Sequence, residues 1–200
     1  MEELKKYMVT AGLVITNLII FLVVDFTGGA GNTQHMVDCG AAYTPLIIND
    51  GEWYRLVTAI FLHFSIEHLL NNMVVLAVLG ERLEKVMSRF SYLLVYFIAG
   101  IGGNLISMGI EISTGRYAVS AGASGAVFGM MGAVLYIMIR NHGKMLDLSI
   151  KRMLLMLALS IYLGFADAGV NSTAHLGGLA CGFMAAVLLY HPHVSRRTAQ

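Results

Sequence analysis

Six predominantly apolar stretches run along the chain, at residues 8–26, 66–83, 90–112, 124–140, 152–165 and 174–190. Each reads as a helix. A helix needs about 20 apolar residues to cross a hydrocarbon layer of about 30 Å. The last three stretches are short, which implies local thinning of the bilayer. Between the first two lies a long polar loop, 27–55, interrupted by Leu46-Ile47-Ile48 and closed by Trp53 and Tyr54. Loops of this length are commonly functional or partly structured, and Trp and Tyr anchor at membrane interfaces.

Lys and Arg are distributed unevenly among the connecting segments. With the N-terminus inside, eleven of the 13 lie in inside segments and only Arg55 and Arg116 lie outside. This alternation predicts six crossings with both termini cytoplasmic. The first stretch follows Lys5 and Lys6, as a signal peptide would, but Glu2 and Glu3 spoil the basic leader and the run is too long. It reads as a retained helix.

Composition agrees. The 200 residues are 57% hydrophobic and 12% charged, with a net charge of +1. Soluble domains average about 45–50% and about 25%. A soluble enzyme, a disordered chain and a nucleic-acid binder are therefore excluded, and no nucleic-acid partner is expected. The fold class is all-α, a polytopic membrane protein, with residues 1–200 as one domain. Cys39 and Cys181 fall at different depths, so no disulfide is expected. There is no internal repeat of the kind that builds many transporters.

Polar residues inside apolar stretches are costly and mark function. Here they are His63, Glu67, His68, Asn71 and Asn72 at the second stretch, Ser124 at the fourth and His175 at the sixth. Stretches 2, 4 and 6 run in the same direction, so these residues converge at one depth below the outer surface. Ser124 sits in Gly-Ala-Ser-Gly-Ala-Val-Phe-Gly, residues 122–129. Serine beside glycine is usually a packing residue in membrane helices. This one begins a helix, where free N–H groups and the positive dipole end suit an oxyanion. His175, Gly178 and Gly182 share a helix face. A matching strip on the fourth stretch carries Gly125, Gly129 and Gly132. Packing strip on strip brings Ser124 to His175, whose neutral imidazole then accepts the serine proton. Asp167 is the nearest carboxylate in sequence, with nothing to show that it reaches, so a dyad is expected rather than a triad.

His68 and Asn72 are four apart on one face and can both donate to an oxyanion. His63 and Asn71 lie off that line and read as structural. His63 and His68 are five apart, which fits neither H-E-x-x-H nor H-x-x-E-H, so no metal and no cofactor is expected.

Together these residues resemble the rhomboid intramembrane serine proteases. The pieces are Trp53-Tyr54-Arg55, His63 to Asn72 in HFSIEHLLNN, Gly80 and Glu84 in GERLE, GASGAVFG around Ser124 and AHLGGLACG around His175. The likeness runs from about residue 53 to 183. It implies a compact six-helix bundle with Ser124 as nucleophile and His175 as general base. It implies an oxyanion hole of His68, Asn72 and the Ser124 N–H, supported by Gly122, Gly125, Gly178 and Phe128. Phe128 stands where many members carry Tyr; its ring can still stack on His175. The resemblance further implies substrates that are single-span membrane proteins cut near their outer ends, with stretch 5 and the loop after it gating access. A bacterial inner membrane is the expected location. A non-catalytic binder of membrane helices is the alternative. A channel would need polar residues continuing inward, where stretches 4 and 6 turn apolar and small.

Overall fold

The computed structural model describes residues 7–166 and 171–191, the side chains of 163–166 excepted. Six long helices coincide with the six apolar stretches: α1 (Met8–Gly28), α5 (Ile66–Val86), α6 (Arg89–Thr114), α7 (Ser124–Arg140), α8 (Ile150–Ala166) and α9 (Ser172–Leu189). Within the first loop lie three short helices, α2 (Thr33–Asp38), α3 (Thr44–Asn49) and α4 (Arg55–Thr58), the last continued by a 3₁₀ turn, Ala59–Phe61. Two-residue strands β1 (Lys144–Met145) and β2 (Leu148–Ser149) pair antiparallel between α7 and α8. Asp167 lies outside the described residues.

Helices α1, α6 and α9 are long and apolar enough to cross a membrane. Arg55–Phe61 and α5 meet the same length and apolarity only when taken together, and a bend of 91° separates them. Helix α7 has 17 residues, and at 1.5 Å per residue it is about 26 Å long. Its shortness does not expose it to lipid mismatch, because it is the central helix. Residues from Gly125 to Val134 are buried without interruption, enclosed by α5, α6 and α9. Apart from Ile139 near the end of α7, the exposed apolar side chains lie on other elements, such as Ile15, Ile19 and Leu22 on α1 and Leu154 and Leu155 on α8. That distribution is what a lipid solvent requires.

Most helix starts are capped. Ser65 Oγ accepts from His68 N–H on α5, Ser88 Oγ from Ser91 N–H on α6, and Asn171 Oδ1 from Ala174 N–H on α9. Helix α1 is capped from 74 residues away. The Glu84 carboxylate, its side chain fully buried, accepts from Val9 N–H, Thr10 N–H and the Thr10 hydroxyl at 3.1, 2.9 and 2.6 Å. A carboxylate at a helix N-terminus is favoured by charge and by hydrogen bonding. Gly80, one turn earlier, leaves room for Thr10 and Tyr92. Glu84→Ala strands those donors, and a loss of about 2–4 kcal/mol is expected in detergent unfolding. An unchanged midpoint would show that water replaces the cap. Helix α7 departs from this pattern. No side chain caps it, and its first residue is Ser124.

The first loop is fastened to the bundle. Arg55 is buried and donates to the carbonyls of Val37 at 2.6 Å and Ala41 at 3.0 Å, while its Nε pairs with Glu52. The Arg55 charge thus serves the loop rather than the membrane surface. Trp53 and Tyr54 remain exposed. Ala42 and Ser120 exchange both backbone hydrogen bonds, and the Thr44 hydroxyl donates to Glu111 on α6. At the opposite end, Arg82 on α5 pairs with Asp147 in the turn of the hairpin at 2.8 Å.

Candidate active site

Three helices build the site by touching backbone to backbone. Gly178 of α9 faces the Gly125 carbonyl of α7, and Gly182 faces the Gly129 carbonyl. A methyl group at either position would overlap that backbone. Gly103 of α6 meets the Ala174 carbonyl on the other side, and Gly132 of α7 meets Leu179. The glycine strips therefore pack as their spacing predicts, and the register brings the two helix starts level.

At that level Ser124 Oγ and His175 Nε2 are 2.7 Å apart. Phe128, one turn below Ser124, stacks on the imidazole with ring centroids 4.4 Å apart and planes 11° from parallel. The stack fixes the ring plane. A shallow, tightly packed cleft lined by Phe128, Ile161, Ser172, His175 and Leu176 lies against the pair.

Gly122 has φ +146°, which favours glycine, and the space beside it is bordered by two side chains. A Cβ built there would lie 2.8 and 2.9 Å from His68 Cε1 and Nε2, and 3.4 Å from Ser124 Oγ. His68 and Ser124 thus face one small volume that only glycine leaves open. Asn72, one turn along α5 from His68, is buried, and its Nδ2 has no hydrogen-bond partner among the described residues. An unsatisfied buried amide is expensive unless something arrives to accept from it. Cys39 offers no rival nucleophile, because burial and then Asp38 push its thiol above the ordinary range. The described residues contain no group of three or more metal-ligating side chains.

The family model described as Rhomboid domain matches residues 50–192. The chain belongs to the rhomboid family. That match spans α4 to α9 and contains His68, Asn72, Ser124 and His175. Among curated relatives, "Rhomboid protease GluP" of Bacillus subtilis (strain 168) is 35% identical over 175 residues, 88% of this chain and 33% of that protein. "RHOMBOID-like protein 5" of Arabidopsis thaliana is 36% identical over 149 residues, 73% of this chain and 47% of that protein. "Rhomboid-like protease 3" of Toxoplasma gondii is 34% identical over 167 residues, 82% of this chain and 61% of that protein. The chain spans between about a third and three fifths of the length of these relatives. Family and apolar helices together make it a multi-pass integral membrane protein.

Sequence reasoning passed over several residues that hold this rhomboid site. Asn171 caps α9 and also donates to Ser107 Oγ at 2.8 Å and Ser120 Oγ at 3.1 Å, tying α6, the segment before Ser124 and the start of α9. Asn104 donates to the Leu56 carbonyl and ties α6 to α4. The N-cap position of Asn171, just before an apolar run, was the available signal. The Ser107 and Ser120 contacts carry none, since they join residues more than 50 apart in sequence.

Proposed function

We propose that this chain is an intramembrane serine endopeptidase with Ser124 as nucleophile and His175 as general base. The 2.7 Å contact between Ser124 Oγ and His175 Nε2 carries this reading. As Oγ attacks the scissile carbonyl carbon, His175 Nε2 takes its proton. The carbonyl π pair moves to oxygen, and the oxyanion accepts hydrogen bonds from His68, Asn72 and the Ser124 N–H. Collapse breaks the C–N bond while His175 returns the proton to the departing amine. Water then attacks the acyl-serine ester with the same base, releasing the carboxylate product and restoring Oγ–H. The unpartnered Nδ2 of Asn72 and the uncapped start of α7 are the donors such a step needs. Phe128 holds the imidazole plane, the orienting task that the carboxylate, the third member, performs in a triad.

The substrates are single-span membrane proteins, cut near the outer end of the span. An intact helix hides its carbonyls in hydrogen bonds, so a locally unwound segment with helix-breaking residues is preferred. Six crossings with both termini inside fit the eleven-to-two split of Lys and Arg. We assign the chain to a bacterial plasma membrane, because the relative above that aligns with the largest share of it is from Bacillus subtilis. A purely helix-binding role leaves the serine–imidazole contact without a purpose.

The test is reconstitution in proteoliposomes with a single-span reporter and a fluorophosphonate probe. The expected result is one cut near the outer end of the reporter span and a single labelled peptide containing Ser124. Folded protein that neither cuts nor labels would overturn the proposal in favour of binding.

A further inference from the structure

We infer that His63 is a positioning residue for the dyad, an inference that rests on the function proposed above. His63 lies at the elbow between the 3₁₀ turn and α5, where the chain bends by 91°. It is 1% exposed, so it does not reach a substrate. Its Nε2 accepts from Ala123 N–H at 3.4 Å. Ala123 is the residue before the nucleophile and the N-cap of α7. The same ring meets the His68 ring nearly edge-on, with centroids 5.0 Å apart and planes at 69°. One buried imidazole therefore touches both the backbone that carries Ser124 and the ring that borders the space beside Gly122.

The short segment 59–63 grips the residues before Ser124 at two successive points. Gly122 N–H donates to the Ala59 carbonyl at 2.9 Å, and Ala123 N–H to His63. Both N–H groups precede an uncapped helix and have no helical partner of their own. Fixing them sets the two successive peptide planes that lead into Ala123, and the next plane along the chain carries the Ser124 N–H assigned to the oxyanion. Packing alone does not account for a histidine here. Acceptance at Nε2 leaves the proton on Nδ1, which is buried and has the Phe61 carbonyl beside it but outside good hydrogen-bond geometry. An apolar ring of similar size would fill the space without that loss. What an apolar ring lacks is the acceptor for Ala123.

The test compares His63→Phe and His63→Leu, which lack an acceptor, with His63→Gln, which keeps one on a side chain of similar reach. Reporter kcat and KM, labelling of Ser124 by fluorophosphonate and the thermal midpoint are measured for each. The acceptor-less variants are expected to lose roughly 10–100-fold in kcat and in labelling rate, with KM nearly constant. Their midpoints stay at or above wild type, and His63→Gln recovers most of the rate. Equal kcat in folded acceptor-less and acceptor-bearing variants overturns the inference. So does a kcat loss that follows the thermal midpoint in all three, which is the behaviour of a packing residue. Ser124→Ala is run beside them. Undiminished cleavage by that variant would remove the dyad itself, a separate failure from that of His63.

Discussion

Ser124→Ala is expected to lower reporter cleavage by ~10⁴-fold or more, and His175→Ala to come close to it. The two groups act as one unit through a single 2.7 Å contact. Without Oγ there is nothing for the imidazole to deprotonate. Without the imidazole the hydroxyl is a weak nucleophile, because its ordinary pKa leaves almost no alkoxide. The double variant should therefore be little slower than either single one, which separates a dyad from two independent contributors. KM should move little in all three, since neither side chain is large enough to supply much of a substrate helix's binding surface. Single-turnover cleavage in proteoliposomes reads both quantities. Additive losses, or cleavage that survives Ser124→Ala, would sink the assignment.

How much of this arrangement was legible in the sequence depends on the range of each interaction. The helices were legible because apolar runs report burial or lipid locally. All six begin within two residues of the expected start. The glycine strips were legible because 3.6-residue periodicity places Gly125, Gly129 and Gly132 on one face and Gly178 and Gly182 on another. From two such strips the approach of Ser124 to His175 follows. Burial, by contrast, was not legible from apolarity. Helix α1 is at least as apolar as helix α7, yet α7 is enclosed and α1 presents Ile15, Ile19 and Leu22 outward. Arg55 looks like an ordinary outside charge until its carbonyl partners Val37 and Ala41 are known. Glu84 looks like one of several charges in GERLE until α1 is seen to start upon it. His63 is off the face shared by His68 and Asn72, and it matters only because the residue before Ser124 folds back against it. Each of these depends on a partner at least 14 positions away, and no local pattern encodes that distance.

The second large effect tests the scaffold rather than the chemistry. Gly178→Ala adds one methyl group, and in an isolated helix it would be favourable by about 1 kcal/mol. Gly109 on α6 has nothing within 4 Å of a built Cβ, so Gly109→Ala is expected to keep or raise the thermal midpoint with activity unchanged. At Gly178 the same methyl meets the Gly125 backbone, with the carbonyl carbon at 2.8 Å and Cα at 3.1 Å. A flexible side chain could step aside, but a helix backbone cannot. Helices α7 and α9 must separate, and the methyl is expected to destabilise the fold by about 2–3 kcal/mol despite its helix propensity. Ser124 and His175 stand one turn or less from this contact, on the two helices that part. A separation of about 1 Å takes their contact beyond hydrogen-bond range and is expected to lower kcat at least ~10²-fold even in the folded fraction. Thermal unfolding in detergent and single-turnover rates on both variants provide the comparison. Equal behaviour of Gly178→Ala and Gly109→Ala would mean that backbone contact between α7 and α9 does not set the register of the site. Opposite signs at two glycines in the same protein would show that close approach, and not glycine's flexibility, is what the strip supplies.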